Sequence, residues 1–134
     1  MVFACNSLPG QHTAFPDTCN TFVGTATVPV PYPNMATATT AMPPSPNVVI
    51  AVAPAHTIAS SEPVTNGDQA GASGGGAVAG GGISMPSRSV LGCVGLNVNF
   101  MPARNSMKPT MQNNINAPGV TGAVPCQPFV LFLR

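Results

Sequence analysis

Cys5, His12 and Cys19 stand in a C-x6-H-x6-C arrangement near the start of the chain, with Cys93 and Cys126 far along it. Thiolate and imidazole groups in a reducing compartment are what a structural zinc takes, four at a time and tetrahedrally. A small domain with little core gains rigidity from such a site, because metal binding is coupled to folding. The spacing matches no standard zinc ribbon, so two other readings stay open. The thiols can be buried as small apolar groups, or Cys5 and Cys19 can form a disulfide after export or during purification. On the metal reading the ligands are Cys19, Cys5, His12 and Cys93, with Cys126 and His56 as alternates. His56 itself reads first as a hydrogen-bonded loop histidine at the end of a strand.

Other chemistry finds little support. The carboxylates are Asp17, Glu62 and Asp68 alone, and Asp17 and Asp68 fall in expected turns, where aspartate bonds its own backbone. A Cys–His nucleophile could draw on Cys19 or Cys93 with His12 or His56. Nothing around those residues matches a nucleophile motif. The runs Gly74–Gly76 and Gly80–Gly82 lack a following Lys-Ser/Thr and a following helix, so a phosphate loop fails. No catalytic residue is assigned. A small Cys- or metal-dependent hydrolytic effector is the alternative to a structural protein.

The composition sets the frame for these residues. The 134-residue chain carries 5% charged residues and a net charge of +1, where about 25% charged is usual. Four scattered cations cannot neutralise a phosphate track, which excludes nucleic acid as a partner. So little charge suits a part that works docked in something larger. Met1–Cys5 lacks the basic start and apolar stretch of a signal peptide. The apolar run Phe129–Leu133 is far too short to span a bilayer, so no stable membrane insertion is expected. Folding in the cytoplasm with reduced cysteines follows as the expectation.

Sixteen Pro and fourteen Gly argue against long helices, and the Val- and Thr-rich intervals favour strands. The sequence predicts one all-β domain over 1–134 with long Gly- and Pro-rich connections and little or no helix. Turns are expected at Pro9–Gly10 and at Phe15–Pro16–Asp17. Pro29, Pro31 and Pro33 fix an extended segment that can pair along one edge at most. Asn47–Ala53 reads as the clearest strand, His56–Ser60 as a further short one, and two more are expected near Arg88–Cys93 and Leu96–Met101. Val124–Leu133 closes the chain as an apolar strand, more readily core than docking edge.

Four stretches together resemble the PAAR-like proteins that cap the spike of type VI secretion and related contractile injection systems. They are Ala4–Cys5 with Ala14-Phe15-Pro16-Asp17-Thr18-Cys19, then Val28-Pro29-Val30-Pro31-Tyr32-Pro33-Asn34, Asn66-Gly67-Asp68-Gln69-Ala70-Gly71, and Gly80-Gly81-Gly82-Ile83-Ser84. The late histidines of that family are missing between Pro109 and Asn116. The resemblance implies a compact cone of short β-hairpins with approximate threefold pseudo-symmetry, its base docked on a trimeric VgrG-type spike protein, one copy per trimer. It implies strand addition at that base, a metal near the apex with Cys19 in a histidine's place, and an effector carried non-covalently. The implied location is the bacterial cytoplasm before firing and outside the cell with the spike afterwards.

Overall fold

The computed structural model describes residues 2–72, 74–78 and 82–132. The strands are β1 (Val2–Phe3), β2 (Gln11–Val23), β3 (Ala26–Thr37), β4 (Ser45–Ile50), β5 (Ala53–Ala55) and β6 (Ser61–Glu62). They continue as β7 (Ser87–Ser89), β8 (Asn97–Val98), β9 (Met101–Pro102), β10 (Pro109–Gln112), β11 (Ala117–Val124) and β12 (Leu131–Phe132). Helical structure among the described residues is limited to two single 3-10 turns, Ala38–Thr40 and Gln69–Gly71. The fold is all-β.

Six strands form one antiparallel sheet in the order β3-β2-β11-β10-β7-β6. The long β2–β3 hairpin dominates it. Pro29, Pro31 and Pro33 share the outer side of β3 with Met35, whose amide bonds Asn66 away from β2. Their missing N–H groups therefore fall on the edge and cost no ladder bond, as expected of an edge strand. Phe15–Pro16 does not turn the chain. It is a cis peptide inside a bulge of β2, where the register jumps between Ala14 and Asp17.

Three two-stranded ladders, β1/β12, β4/β5 and β8/β9, complete the fold. They meet at three short segments, 4–6, 55–57 and 103–105, which close on one another in a ring. The amide of Cys5 donates to the carbonyl of Arg104 (3.0 Å), that of His56 to Cys5 (3.0 Å), and that of Arg104 to His56 (2.9 Å). Bridges Ala4–Asn105, Asn6–Ala55 and Thr57–Ala103 flank these bonds. A second ring lies beside the first: Ser106 donates to Phe3 (2.8 Å), Ser7 to Pro54 (3.0 Å) and Ile58 to Pro102 (3.0 Å). Each segment donates to one neighbour and accepts from the other, so the three positions are equivalent. The approximate threefold arrangement is present in the backbone.

The ladders share one apolar cluster, built from Ala4, Ile50, Ala55, Cys93, Val98 and Ala103, with Phe132 packed against it. Phe132, Ile50 and Val98 occupy matching places, opposite Val2, Ala53 and Met101. The expected single strand Asn47–Ala53 is instead a hairpin, turning at Ala51 (φ 46°) and Val52 (φ 67°). Its counterpart turns at Asn99 (φ 51°) and Phe100 (φ 66°), within the stretch expected to be the strand Leu96–Met101. Two positive φ values in succession are the two-residue hairpin turn whose twist matches the strands. The apolar pattern of these stretches hid the turns. Thr57 makes only an isolated bridge, so the strand expected over His56–Ser60 is absent.

Candidate functional site

Buried polar side chains outnumber buried apolar ones among the described residues. The largest of them are Arg104, His12, His56, Gln112, Gln127 and Glu62. Apolar burial comes mainly from alanine and cysteine, so hydrogen bonding must carry much of the specificity. Arg104 of the ring grips Glu62 of β6 with both Nη atoms (2.5 and 3.2 Å), both side chains fully buried. Gly122 N–H donates to His12 Nδ1 (2.7 Å), which leaves the His12 proton on Nε2, 3.3 Å from Glu62 Oε1. There the N–H edge of the neutral ring faces the carboxylate. The trio ties the ring to both β2 and β6 of the large sheet.

The electrostatics of this interior set an acid limit on folding. Burial, then the charge of Arg104, lowers His56 from 6.5 to about 4, and burial also lowers His12. Burial pushes the Glu62 carboxyl up, but His12 and Arg104 outweigh it and hold the group at about 2. A histidine kept neutral in the fold supports stability fully above its unfolded value and loses that support as pH falls towards its folded value. Stability by urea denaturation should therefore be level above about pH 7. Between pH 6.5 and 4 it should fall by about 3 kcal/mol from His56 alone, and further below pH 4.5 as Glu62 titrates. No loss down to pH 4 would mean that His56 is open to water.

Asp17 is the second buried centre. Its carboxylate accepts from the amides of Asn34 and Asn116, and from Asn113 Nδ2 at 3.3 Å. These bonds join β2 to β3 and to the turn between β10 and β11. Asp68 accepts from Ser84 N–H (2.9 Å) and Ser84 Oγ (3.4 Å). The turn carrying Asp68 rests directly on the proline strand. A Cβ at Gly67 (φ +129°) would stand 2.2 Å from the carbonyl oxygen of Pro33, and one at Gly71 2.3 Å from Cys19 Cβ. Only glycine permits that approach.

Ligand atoms of Asp17, Cys19 and Asp68 lie within 4.8 Å of one another, all buried, and form a group that could hold a metal ion. Its charge suits a cation. Its donor types depart from the Cys/His set of structural zinc, and both carboxylates already receive amide or hydroxyl donors. Burial, then Asp17 and Asp68, pushes the Cys19 thiol up to about 12, so it stays protonated beside them. Zinc chemistry is a poor fit to this group.

The four expected zinc ligands have four different surroundings. Cys19 lies with Asp17 and Asp68, His12 with Glu62, and Cys93 in the apolar cluster of the ladders. Cys5 packs against Cys126, with Ala38 and Leu8. The alternate His56 meets Ser7 Oγ at 3.0 Å through Nε2. The alternative of a Cys5–Cys19 disulfide is not formed: no disulfide joins the four cysteines. Sequence reasoning missed Glu62 and Arg104. A signal for the ring was nevertheless there: Phe3-Ala4-Cys5-Asn6-Ser7, Pro54-Ala55-His56-Thr57-Ile58 and Pro102-Ala103-Arg104-Asn105-Ser106 are one pattern written three times.

Large apolar side chains stand outside while polar ones are buried. Phe100 is 100% exposed and Val52 91%, both at hairpin tips of the ring ladders, and Phe129 beside β12 is 79% exposed. Val130 and Leu131 are also exposed, so the C-terminal run lies at the surface at these positions and not in the core; Leu133 lies outside the described residues. A β-branched residue such as Val52 at positive φ is rare. Spending that conformation on an exposed apolar tip points to contact with a partner.

The chain is all-β, with a threefold ring, a polar interior and apolar tips. Residues 10–119 match the family model of the toxin PAAR-like domain, and the chain belongs to that family. The family is in general structural. No curated protein and no solved structure matches the chain. Of the residues that carried the family resemblance, Gly80 and Gly81 lie outside the described residues.

Proposed function

We propose that this protein is the tip of a secretion spike, seated one copy per trimer on a VgrG-type protein. The observation that carries this reading is the ring of residues 4–6, 55–57 and 103–105 with its three outward ladders. A single chain can cap a threefold trimer only if it offers three similar surfaces, and this ring supplies them. The apolar tips at Val52 and Phe100 are 48 residues apart, as are His56 and Arg104 of the ring. They would bury against equivalent sites on two neighbouring subunits, with the β1/β12 ladder facing the third. Covering them removes an apolar exposure that a free monomer would carry at a cost in solubility. The polar interior, rich in buried hydrogen bonds, suits a part that must hold its shape under load.

Before firing the protein would wait in the bacterial cytoplasm, and an effector would ride on it non-covalently. Phe100→Asp tests the seating. The side chain is fully exposed, so the variant should keep the parent's thermal unfolding profile. Its affinity for the trimer should fall about 30-fold or more, the loss typical of a buried aromatic anchor. Unchanged affinity in Phe100→Asp and in Val52→Asp would remove the tips from the interface.

A further inference from the structure

The three ring ladders are alike in backbone but not in covalent closure. Turns at Ala51–Val52 and Asn99–Phe100 join β4 to β5 and β8 to β9. The third ladder, β1/β12, pairs Val2 with Phe132 and Phe3 with Leu131. Its strands come from opposite ends of the chain, so no turn holds them. Among the described residues, two residue pairs and their neighbours keep this ladder shut: Ala4 N–H donates to Val130 O (3.0 Å), and Gln127 Nε2 donates to Ala4 O (3.0 Å). Two thiols sit at this seam, one from each end. Cys5 directly follows Ala4, Cys126 directly precedes Gln127, and the two share a small buried cluster with Ala38.

We propose that Cys5 and Cys126 form an intrachain disulfide under oxidising conditions, closing the third ladder as hairpin turns close the other two. The two thiols lie together in that buried cluster, so their sulfurs are already close. Their mutual influence is the main reason Cys126 falls to about 7 while Cys5 is pushed up. Cys126 is thus the more readily ionised of the two and the natural first nucleophile. With glutathione disulfide as oxidant, the Cys126 thiolate attacks one sulfur and releases a glutathione thiolate. Cys5 then gives up its proton, attacks the Cys126 sulfur of the mixed disulfide and releases the second glutathione. Two protein thiols are oxidised and one glutathione disulfide is reduced to two thiols. The bond joins nearly the whole chain into one loop, the case in which a crosslink restricts the unfolded state most. This inference does not depend on the spike-tip reading.

The test is to incubate the reduced, folded chain with glutathione disulfide and map its peptides without reduction. The expected product is lighter by two hydrogens, with Cys5 joined to Cys126. Trypsin leaves Cys5 and Cys19 in one peptide, so the link should also be sought in Cys19→Ala, where it should persist. Thermal unfolding of the oxidised chain should rise by roughly 5 °C or more and return on reduction. A stable glutathione adduct on Cys126 without the crosslink would overturn the proposal. So would a link from Cys5 to Cys19 or Cys93, or oxidation seen only after the chain is unfolded in urea.

Discussion

Glu62→Gln should destabilise the protein by about 3–5 kcal/mol, a large share of the 5–15 kcal/mol typical of a domain. The carboxylate is fully buried between Arg104 and His12, and neutralising it leaves the guanidinium charged and dry. Such a charge costs far more than the pair gains when intact. The loss should be read as a lower urea midpoint at pH 7. In the same variant the further loss that Glu62 adds between pH 4.5 and 2 should vanish, because that group is gone, while the loss from His56 remains. Replacing both partners, Glu62→Met with Arg104→Met, should recover much of the loss, since no buried charge then remains. A single variant within 1 kcal/mol of the parent would mean that water reaches Arg104. Arg104 also supplies a backbone amide and a carbonyl to the ring, so disorder of its side chain should be felt at the threefold centre.

Asp17→Ala should cost about 2–4 kcal/mol. Three asparagine side chains aim amide hydrogens at this carboxylate, and each buried donor left unsatisfied costs about 1–3 kcal/mol. Two of the three keep other partners: Asn113 reaches Gly82 O (3.3 Å) and Asn116 reaches Thr18 O (2.9 Å). Among the described residues Asn34 has no second acceptor, so most of the cost should fall on the β2–β3 hairpin. Asp17→Asn keeps the volume but turns an amide towards amides, and should be nearly as damaging. Hydrogen exchange should show the loss as faster exchange in β2 and β3. If Asp17→Asn matched the parent in stability, the carboxylate would not be the junction of β2, β3 and the 113–116 turn.

Much of the architecture was legible because composition and proline spacing act locally. Sixteen prolines argue against long helices, and their alternation at 29, 31 and 33 fixes an edge strand wherever the chain goes next. The turns at 51–52 and 99–100 were not legible, since Ala-Val carries no turn signal and a lone Asn followed by Phe is a weak one. They form because Ile50 and Val98 are drawn into the shared cluster and the tips are left outside. The metal reading grouped Cys5, His12, Cys19 and Cys93 by residue type, and the fold spreads them over four surroundings. Spacing along the chain said nothing of Asp68 reaching Cys19 or of Cys126 reaching Cys5, because both contacts are made between segments far apart in sequence. The triplet Ala-Cys-Asn, Ala-His-Thr, Ala-Arg-Asn was in plain view. It is too short and too varied at its centre to stand out without the backbone bonds that make its members equivalent.

The central claim is that one chain caps one trimer. Native mass spectrometry of the protein mixed with the trimeric spike protein of its own genome, under reducing conditions, tests it most directly. The expected result is a complex of three spike chains and one copy of this protein. Three copies per trimer, or no complex at micromolar concentration, would contradict the role of a tip.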